Sequence, residues 1–313
     1  MMDITGRETS LLDDIAACCW QSAGNAVAYG IGCAWLGRKM EDQAQAKADV
    51  ATLQAAYERG FRYYDTANAY GESERVVGAF VKEVPRDTIF VATKSRVPRD
   101  TSPQQAAAAL ADNLERSLVR LQTDRIDLFQ IHDVDAFAPL VADGGAVDTL
   151  LRFQSEGVIR HIGLATRQHG LLEQAVRDGR FASILTYSDY TPINRSAEAV
   201  IRAANDRRVA AINGSPLCMG WLSGADPRTR QARSPEERQR QDRAVLFYDY
   251  CLEQGVSVLA AALQYPLRNR TIAITLTGPA SPDEVTASAA ALGEPIPDAF
   301  WSEWETRVAQ EKG

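Results

Sequence analysis

Tyr64-Asp-Thr-Ala-Asn-Ala-Tyr-Gly71, Val91-Ala-Thr-Lys-Ser95 and Gln130-Ile-His-Asp133 decide how this chain is read. Each stretch sets a reactive side chain where a β-strand should end: Asp65 and Tyr70 in the first, Lys94 in the second, His132 in the third. Polar residues delivered from the ends of several strands are how a (β/α)8 barrel assembles an active site. The four residue types also suit one task. A tyrosine moves a proton, a lysine lowers the phenol pKa, an aspartate holds the lysine, and a histidine orients a substrate oxygen.

Outward from these stretches, short β-like runs alternate with helical patterns, which predicts βα units and a parallel sheet. Candidate strands are Ala28–Cys33, Tyr63–Asp65, Ile89–Lys94, Ile126–Ile131, Ile159–Leu164, Ser183–Thr186, Val209–Ile212 and Ile272–Leu276. With right-handed crossovers they predict a closed α/β barrel, a (β/α)8 TIM barrel. Amphipathic stretches between them include Gln43–Glu58, Pro103–Arg120 and Ala146–Ser155, the last with Val147, Leu150, Leu151 and Gln154 at helical spacing. Ser102-Pro-Gln-Gln105, Ser234-Pro-Glu-Glu237 and Ser281-Pro-Asp-Glu284 each read as a helix start with a Ser N-cap, Pro at N1 and Gln or Glu at N3. The expected organisation is one barrel domain over 1–313, with about 25 N-terminal residues left unassigned and a C-terminal helix over about 297–313 carrying Phe300, Trp301 and Trp304. The polar segment Gly220–Glu236 follows the seventh strand and is expected to reach over the barrel mouth.

The 313 residues are 45% hydrophobic and 24% charged, which is ordinary for a globular protein. A net charge of −7 argues against a nucleic-acid partner. The local run of arginines at 228–243 is diluted by Glu236, Glu237 and Asp242 and reads as a solvated surface. The five cysteines are odd in number and lack a Cys-x-x-Cys pair, so a reducing, cytoplasmic setting without disulfides is expected. The three histidines share no metal-ligand spacing with cysteines or carboxylates, so no metal is expected. No apolar run suits a membrane span, and the charged N-terminus has no apolar signal core. Gly30-Ile-Gly32 is the nearest approach to a Rossmann fingerprint, but Trp35 stands where the third glycine is needed.

The chain resembles the aldo-keto reductase family over about Gly30 to Leu292, and within it the branch of L-galactose dehydrogenase and related sugar 1-dehydrogenases. The opening stretches carry the resemblance. So do Gly60-Phe-Arg-Tyr-Tyr-Asp65, Gly157-Val-Ile-Arg-His-Ile-Gly163, Ile184-Leu-Thr-Tyr-Ser-Asp-Tyr190, Ser215-Pro-Leu-Cys-Met-Gly-Trp-Leu222 and Ala262-Leu-Gln-Tyr265, all in chain order.

The resemblance implies a catalytic set of Tyr70, Lys94, Asp65 and His132. It implies cofactor contacts from Ser215, Leu217 and the Gly278–Ser288 stretch, with Thr166 where relatives place an Asn or Ser on the nicotinamide carboxamide, and with Tyr190 near the nicotinamide ring. NADPH-selective members carry Lys at the Gly278 position, Arg at the Glu284 position and Asn at the Ser288 position. Here those cations are missing, and a carboxylate repels a 2′-phosphate but accepts a hydrogen bond from a free 2′-hydroxyl, so NAD is expected in preference to NADP. Substrate contacts are expected from Trp35, Asp133 and Trp221. The implied activity is NAD-linked oxidation of a small aldose at C1 to its lactone. Two alternatives stay open: an NADPH-dependent aldehyde or ketone reductase, and a cofactor-binding regulatory subunit. A small molecule is the expected partner, with no membrane partner.

Overall fold

The structure, a computed structural model, describes residues 10–18, 20–22, 25–39 and 41–310. Helix α1 (Leu11–Ala17) begins at Ser10, whose hydroxyl accepts from the Asp13 N–H while the Asp13 carboxylate accepts from the Ser10 N–H. Strands β1 (Trp20–Ser22) and β2 (Asn25–Val27) then pair as an antiparallel hairpin. None of these elements was expected from the sequence. Residues 1–9 lie outside the described part.

Eight parallel strands form the closed barrel: β3 (Tyr29–Gly32), β4 (Tyr63–Asp65), β5 (Phe90–Ser95), β6 (Ile126–His132), β7 (Ile159–Ala165), β8 (Ser183–Tyr187), β9 (Ala210–Gly214) and β10 (Ile274–Thr277). The ring closes where Leu276 of β10 pairs with Gly30 of β3. Each strand lies within two residues of its expected position at either end.

Helices α2 (Gln43–Glu58), α3 (Ser73–Val81), α4 (Pro103–Leu121), α5 (Ala138–Val141), α6 (Ala146–Ser155), α7 (His169–Asp178), α8 (Glu198–Asp206), α9 (Pro235–Glu253), α10 (Val258–Gln264), α11 (Pro282–Gly293) and α12 (Asp298–Gln310) follow in chain order. Strands enclosed on both faces are buried almost throughout, as in β5 and β6, where every residue is buried. Two packed layers result. Inside the barrel, Tyr63 stacks on Phe90 at 4.7 Å, and Leu11 and Ile15 of α1 belong to the same apolar cluster as both rings. Outside it, helix stripes such as Val147, Leu150 and Phe153 of α6 pack on the strands, with Leu151 and Gln154 only half-buried. On α12, Phe300, Trp301 and Trp304 are buried.

The three Ser-Pro starts are N-caps, but only Ser102 and Gln105 form the reciprocal capping box. Glu237 and Glu284 instead accept from Arg233 N and Ala280 N, one residue before each cap. Gly78 is fixed by a close approach. In the middle of α3, a Cβ on Gly78 would lie 2.2 Å from the Arg120 carbonyl oxygen at the end of α4. Gly78→Ala must push these helices apart, and overpacking of this kind costs about 1–3 kcal/mol. We expect a lower urea midpoint with an unchanged m-value for this variant; a midpoint equal to wild type would refute the packing account.

Candidate active site

The carboxyl ends of the strands open into a cleft of about 1200 Å³. Asp65 ends β4, Lys94 is next to last in β5, His132 ends β6, and Tyr70 follows β4 in the turn that leads into α3. All four line the cleft.

The parallel register sets Lys94 opposite Gln130 and Asp65 opposite Ala92. The Lys94 ammonium donates to Asp65 Oδ1 and, at 2.9 Å, to the Thr66 carbonyl. Asp65 Oδ2 accepts from Gln130 Nε2 at 3.1 Å, so both carboxylate oxygens are partnered. Gln130 was quoted in the sequence without a role; in the fold it is the second anchor of the aspartate. Lys94 Nζ lies 4.7 Å from the centre of the Tyr70 ring, close enough for its charge to act on the phenol. The His132 imidazole meets the Tyr70 ring edge-on at 5.8 Å.

Burial sets the protonation states. It pulls the Lys94 ammonium down, but Asp65 and then Tyr70 pull it further up, so its pKa stands well above the ordinary lysine value. His132 is lowered to about 3 by burial and by the Lys94 and Arg96 charges, so it is a neutral imidazole across the physiological range. Its Nδ1 is buried without a hydrogen-bond partner. Tyr70 departs from expectation. Burial raises its phenol, and the Lys94 charge opposes that rise without overcoming it. Desolvation of the phenolate outweighs the attraction of the cation.

Asp133 takes a left-handed backbone with φ 46° and turns its carboxylate into the mouth, where it meets Arg96 at 3.1 Å and His132 Nε2 at 3.5 Å. Ser215, Leu217, Gly278, Glu284 and Ser288 line the cleft. Ser215, Cys218 and Met219 are left-handed, and the Ser215 hydroxyl accepts from Met219 N at 3.1 Å. Three of the expected contacts are placed differently. Trp221 is only 3% exposed and belongs to the core, with the Arg230 guanidinium 4.1 Å over its ring; it is not a cleft wall. Tyr190 is buried against Tyr265 at 5.7 Å, and Thr166 is buried with its hydroxyl accepting from Gln168 N. Neither lines the cleft. A large apolar ring gains more from a packed neighbour than from a wet mouth.

Trp35, 43% exposed, does line the cleft, with Arg38 4.5 Å over its face. It leans on Gly278, where a Cβ would lie 3.2 Å from the indole. The residues missed from sequence are Gln130, Arg38, Arg96 and Tyr187. Only the strand-end position of Tyr187 could have signalled one of them. Among the described residues no group of three His, Cys, Asp or Glu could hold a metal ion, and no helix is long and apolar enough to cross a membrane. Cys33, Cys218 and Cys251 are free thiols.

Residues 29–308 match the sequence model of the Aldo/keto reductase family. A D-threo-aldose 1-dehydrogenase from Pseudomonas is 29% identical over 313 residues, covering 90% of this chain and 94% of that protein. An L-galactose dehydrogenase from Arabidopsis thaliana is 29% identical over 276 residues, covering 85% and 84%. Among solved structures, an aldo-keto reductase from Klebsiella pneumoniae in complex with NADPH superposes with a TM-score of 0.70 at 22% identity, covering 90% of each chain.

Removing one partner of the buried ion pair should be costly. Lys94→Met leaves buried Asp65 without its counter-charge, and breaking a buried pair in this way typically costs about 3–5 kcal/mol. Asp65→Asn with Lys94→Met should recover most of that loss. Chemical denaturation of the wild type, the single and the double variants checks this; a double variant as unstable as Lys94→Met would refute it.

Proposed function

The chain belongs to the aldo/keto reductase family, and from that premise we propose that it is a dehydrogenase that oxidises a small, uncharged aldose at C1 to its lactone with NAD. The observation that carries the reading is the convergence of Tyr70, Lys94, Asp65 and His132 at one point of the barrel mouth. The cleft suits a nicotinamide dinucleotide in its volume of about 1200 Å³. When bound, that cofactor exchanges a hydride with the substrate carbon. Ser215, Leu217, Gly278, Glu284 and Ser288 would hold it.

This chain's own residues handle the oxygen and its proton. His132, kept neutral by burial, directs the reacting oxygen toward Tyr70 without adding charge. Tyr70 takes the anomeric hydroxyl proton as a phenolate, or returns it as a phenol when a carbonyl is reduced. Lys94, locked as a cation by Asp65, steadies the phenolate. Asp133, anchored by Arg96, is a hydrogen-bond acceptor for sugar hydroxyls beside the reacting carbon. The two sugar dehydrogenases of similar sequence support the substrate class.

NAD rather than NADP follows from charge. Three cations (Arg38, Lys94 and Arg96) face five carboxylates (Glu41, Asp65, Glu72, Asp133 and Glu284) around the cleft, and the Gly278–Ser288 stretch contributes only the carboxylate. A 2′-phosphate would meet Glu284 with no cation from that stretch to offset it. The structural neighbour from Klebsiella pneumoniae is a complex with NADPH. The two oxidised cofactors therefore need direct comparison: kcat/KM should favour NAD by about tenfold, one carboxylate-phosphate contact being worth about 1–2 kcal/mol, and a tenfold preference for NADP would overturn this choice.

One observation favours a second reading. The raised Tyr70 pKa keeps the phenol protonated at neutral pH, the form that donates a proton to a carbonyl. The alternative is therefore an aldehyde or ketone reductase using the same residues. The two directions differ in pH dependence. Oxidation needs the phenolate, so its kcat/KM should climb about tenfold per pH unit through the alkaline range below the raised pKa. Reduction needs the phenol and should stay level until that pKa, then fall. Tyr70→Phe should lower kcat in either direction by about 10²–10⁴-fold with little change in cofactor affinity. A panel of aldoses and simple aldehydes assayed with both cofactors checks this. Turnover of aldehydes but of no aldose selects the reductase, and unchanged turnover in Tyr70→Phe refutes the mechanism.

A further inference from the structure

Asp49 sits in the second turn of α2, outside the cleft lining, and is only 2% exposed. A carboxyl group buried this far is retained where its oxygens have partners. Oδ1 accepts from Gln45 Nε2 at 2.7 Å, one turn earlier on the same helix. Oδ2 accepts, also at 2.7 Å, from the buried backbone N–H of Gly37 in the loop between β3 and α2. The side chain therefore ties that loop down onto α2.

Gly37 is where the loop meets the turn that carries Tyr70. Its carbonyl accepts from Glu72 N at 3.1 Å. Its backbone is left-handed, with φ 74°, and a Cβ there would lie 2.5 Å from the Glu72 carbonyl carbon and closer still to Ser73 N. The two segments thus touch main chain to main chain, which only glycine allows. Ser73 N donates to the Tyr70 carbonyl at 3.1 Å, and the Ser73 hydroxyl donates to the Cys33 carbonyl at 2.8 Å, at the start of the same loop. On its other side the turn is fixed to β5. Asn68 N donates to the Lys94 carbonyl at 3.1 Å, and Asn68 Nδ2 to Ser95 Oγ at 3.0 Å. The turn is held between a strand end and a loop, and Asp49 holds the loop at its point of contact.

We propose that Asp49 is a positioning residue for proton transfer: through the Gly37 N–H it sets the β3–α2 loop against the Tyr70 turn, and so fixes where the phenol stands relative to Lys94 and His132. This rests on the reading of Tyr70 as the group that exchanges the proton. Proton transfer is steep in distance, and a misplacement of about 1 Å costs up to about a hundredfold in rate. The role is geometric, so an amide can fill it. An asparagine oxygen accepts from Gly37 N, and its NH2 donates to Gln45 once the Gln45 amide is turned over. A methyl group cannot, and it leaves the Gly37 N–H buried without an acceptor.

The test is steady-state kinetics on the full chain with a substrate that the wild type turns over, beside cofactor affinity from protein fluorescence. Asp49→Ala should lower kcat about ten- to hundredfold while affinity for the oxidised cofactor stays within about threefold. Asp49→Asn should keep kcat within about threefold of wild type. Asp49→Glu keeps the carboxylate but advances it by one methylene, and its kcat should fall between the two. In a Tyr70→Phe background, Asp49→Ala should change the residual turnover by less than about twofold, because the phenol through which it acts is gone. A residue needed only for general integrity would lower that residual turnover as much as it lowers the wild type's. Unchanged kcat in Asp49→Ala, an Asp49→Asn as impaired as Asp49→Ala, a loss confined to cofactor affinity, or full additivity with Tyr70→Phe each overturns the assignment. Where Asp49→Ala does not fold, Asp49→Glu decides: kcat equal to wild type overturns the assignment, and a fall that Asp49→Asn does not share upholds it. A wild type that turns over no aldose and no aldehyde overturns the reading of the site, and this inference with it.

Discussion

The ion pair between Lys94 and Asp65 is the constraint on which the site depends. Two opposite charges buried at the end of a parallel barrel are stable only if each is fully partnered. The strands meet that demand through register. Lys94 faces Gln130 across β5 and β6, Asp65 ends the adjacent β4, and the Thr66 carbonyl takes a further ammonium hydrogen. A one-residue slip in β5 would turn Lys94 to the helix layer and leave Asp65 unpaired. The barrel's register and the position of the phenol are thus enforced by the same electrostatic requirement.

The same burial that fixes the pair sets the protonation of its neighbours. It keeps His132 neutral and holds the Tyr70 proton more tightly than a solvated phenol would. Three ionisable groups within a few ångströms therefore occupy three different states: a cation, a neutral imidazole and a neutral phenol. A site that must pass one proton to or from an oxygen benefits from that separation, because only one group is then poised to exchange.

Much of this was legible in the sequence. The barrel strands read correctly because strands enclosed on both faces are near-continuous apolar runs between polar punctuation. That Asp65, Lys94 and His132 would meet at the cleft was legible because each closes such a run with a side chain that burial would penalise without a partner. Trp221, Tyr190 and Thr166 were misplaced for one shared reason: they follow strand ends, yet whether a loop side chain faces the cleft or the core depends on loop backbone that no periodicity records. Gln130 and Arg96 were missed because their partners, Asp65 and Asp133, lie 65 and 37 residues away in sequence. Helix α1 went unread because its single turn-and-a-half of apolar spacing, Leu11 and Ile15, falls below what a pattern can distinguish from loop. The phenol pKa was misjudged because a sequence shows which charges are near but not how much water has been removed.

Trp35 and Gly278 come from opposite ends of the barrel sequence and meet where β10 closes against β3. The indole occupies the volume a side chain at position 278 would need, so the two positions are epistatic. A lineage acquiring a side chain at 278 must shift the exposed indole by a few tenths of an ångström or replace it. Substitutions at 35 and 278 are then expected to be non-additive, the cost of a side chain at 278 falling once the residue at 35 is small.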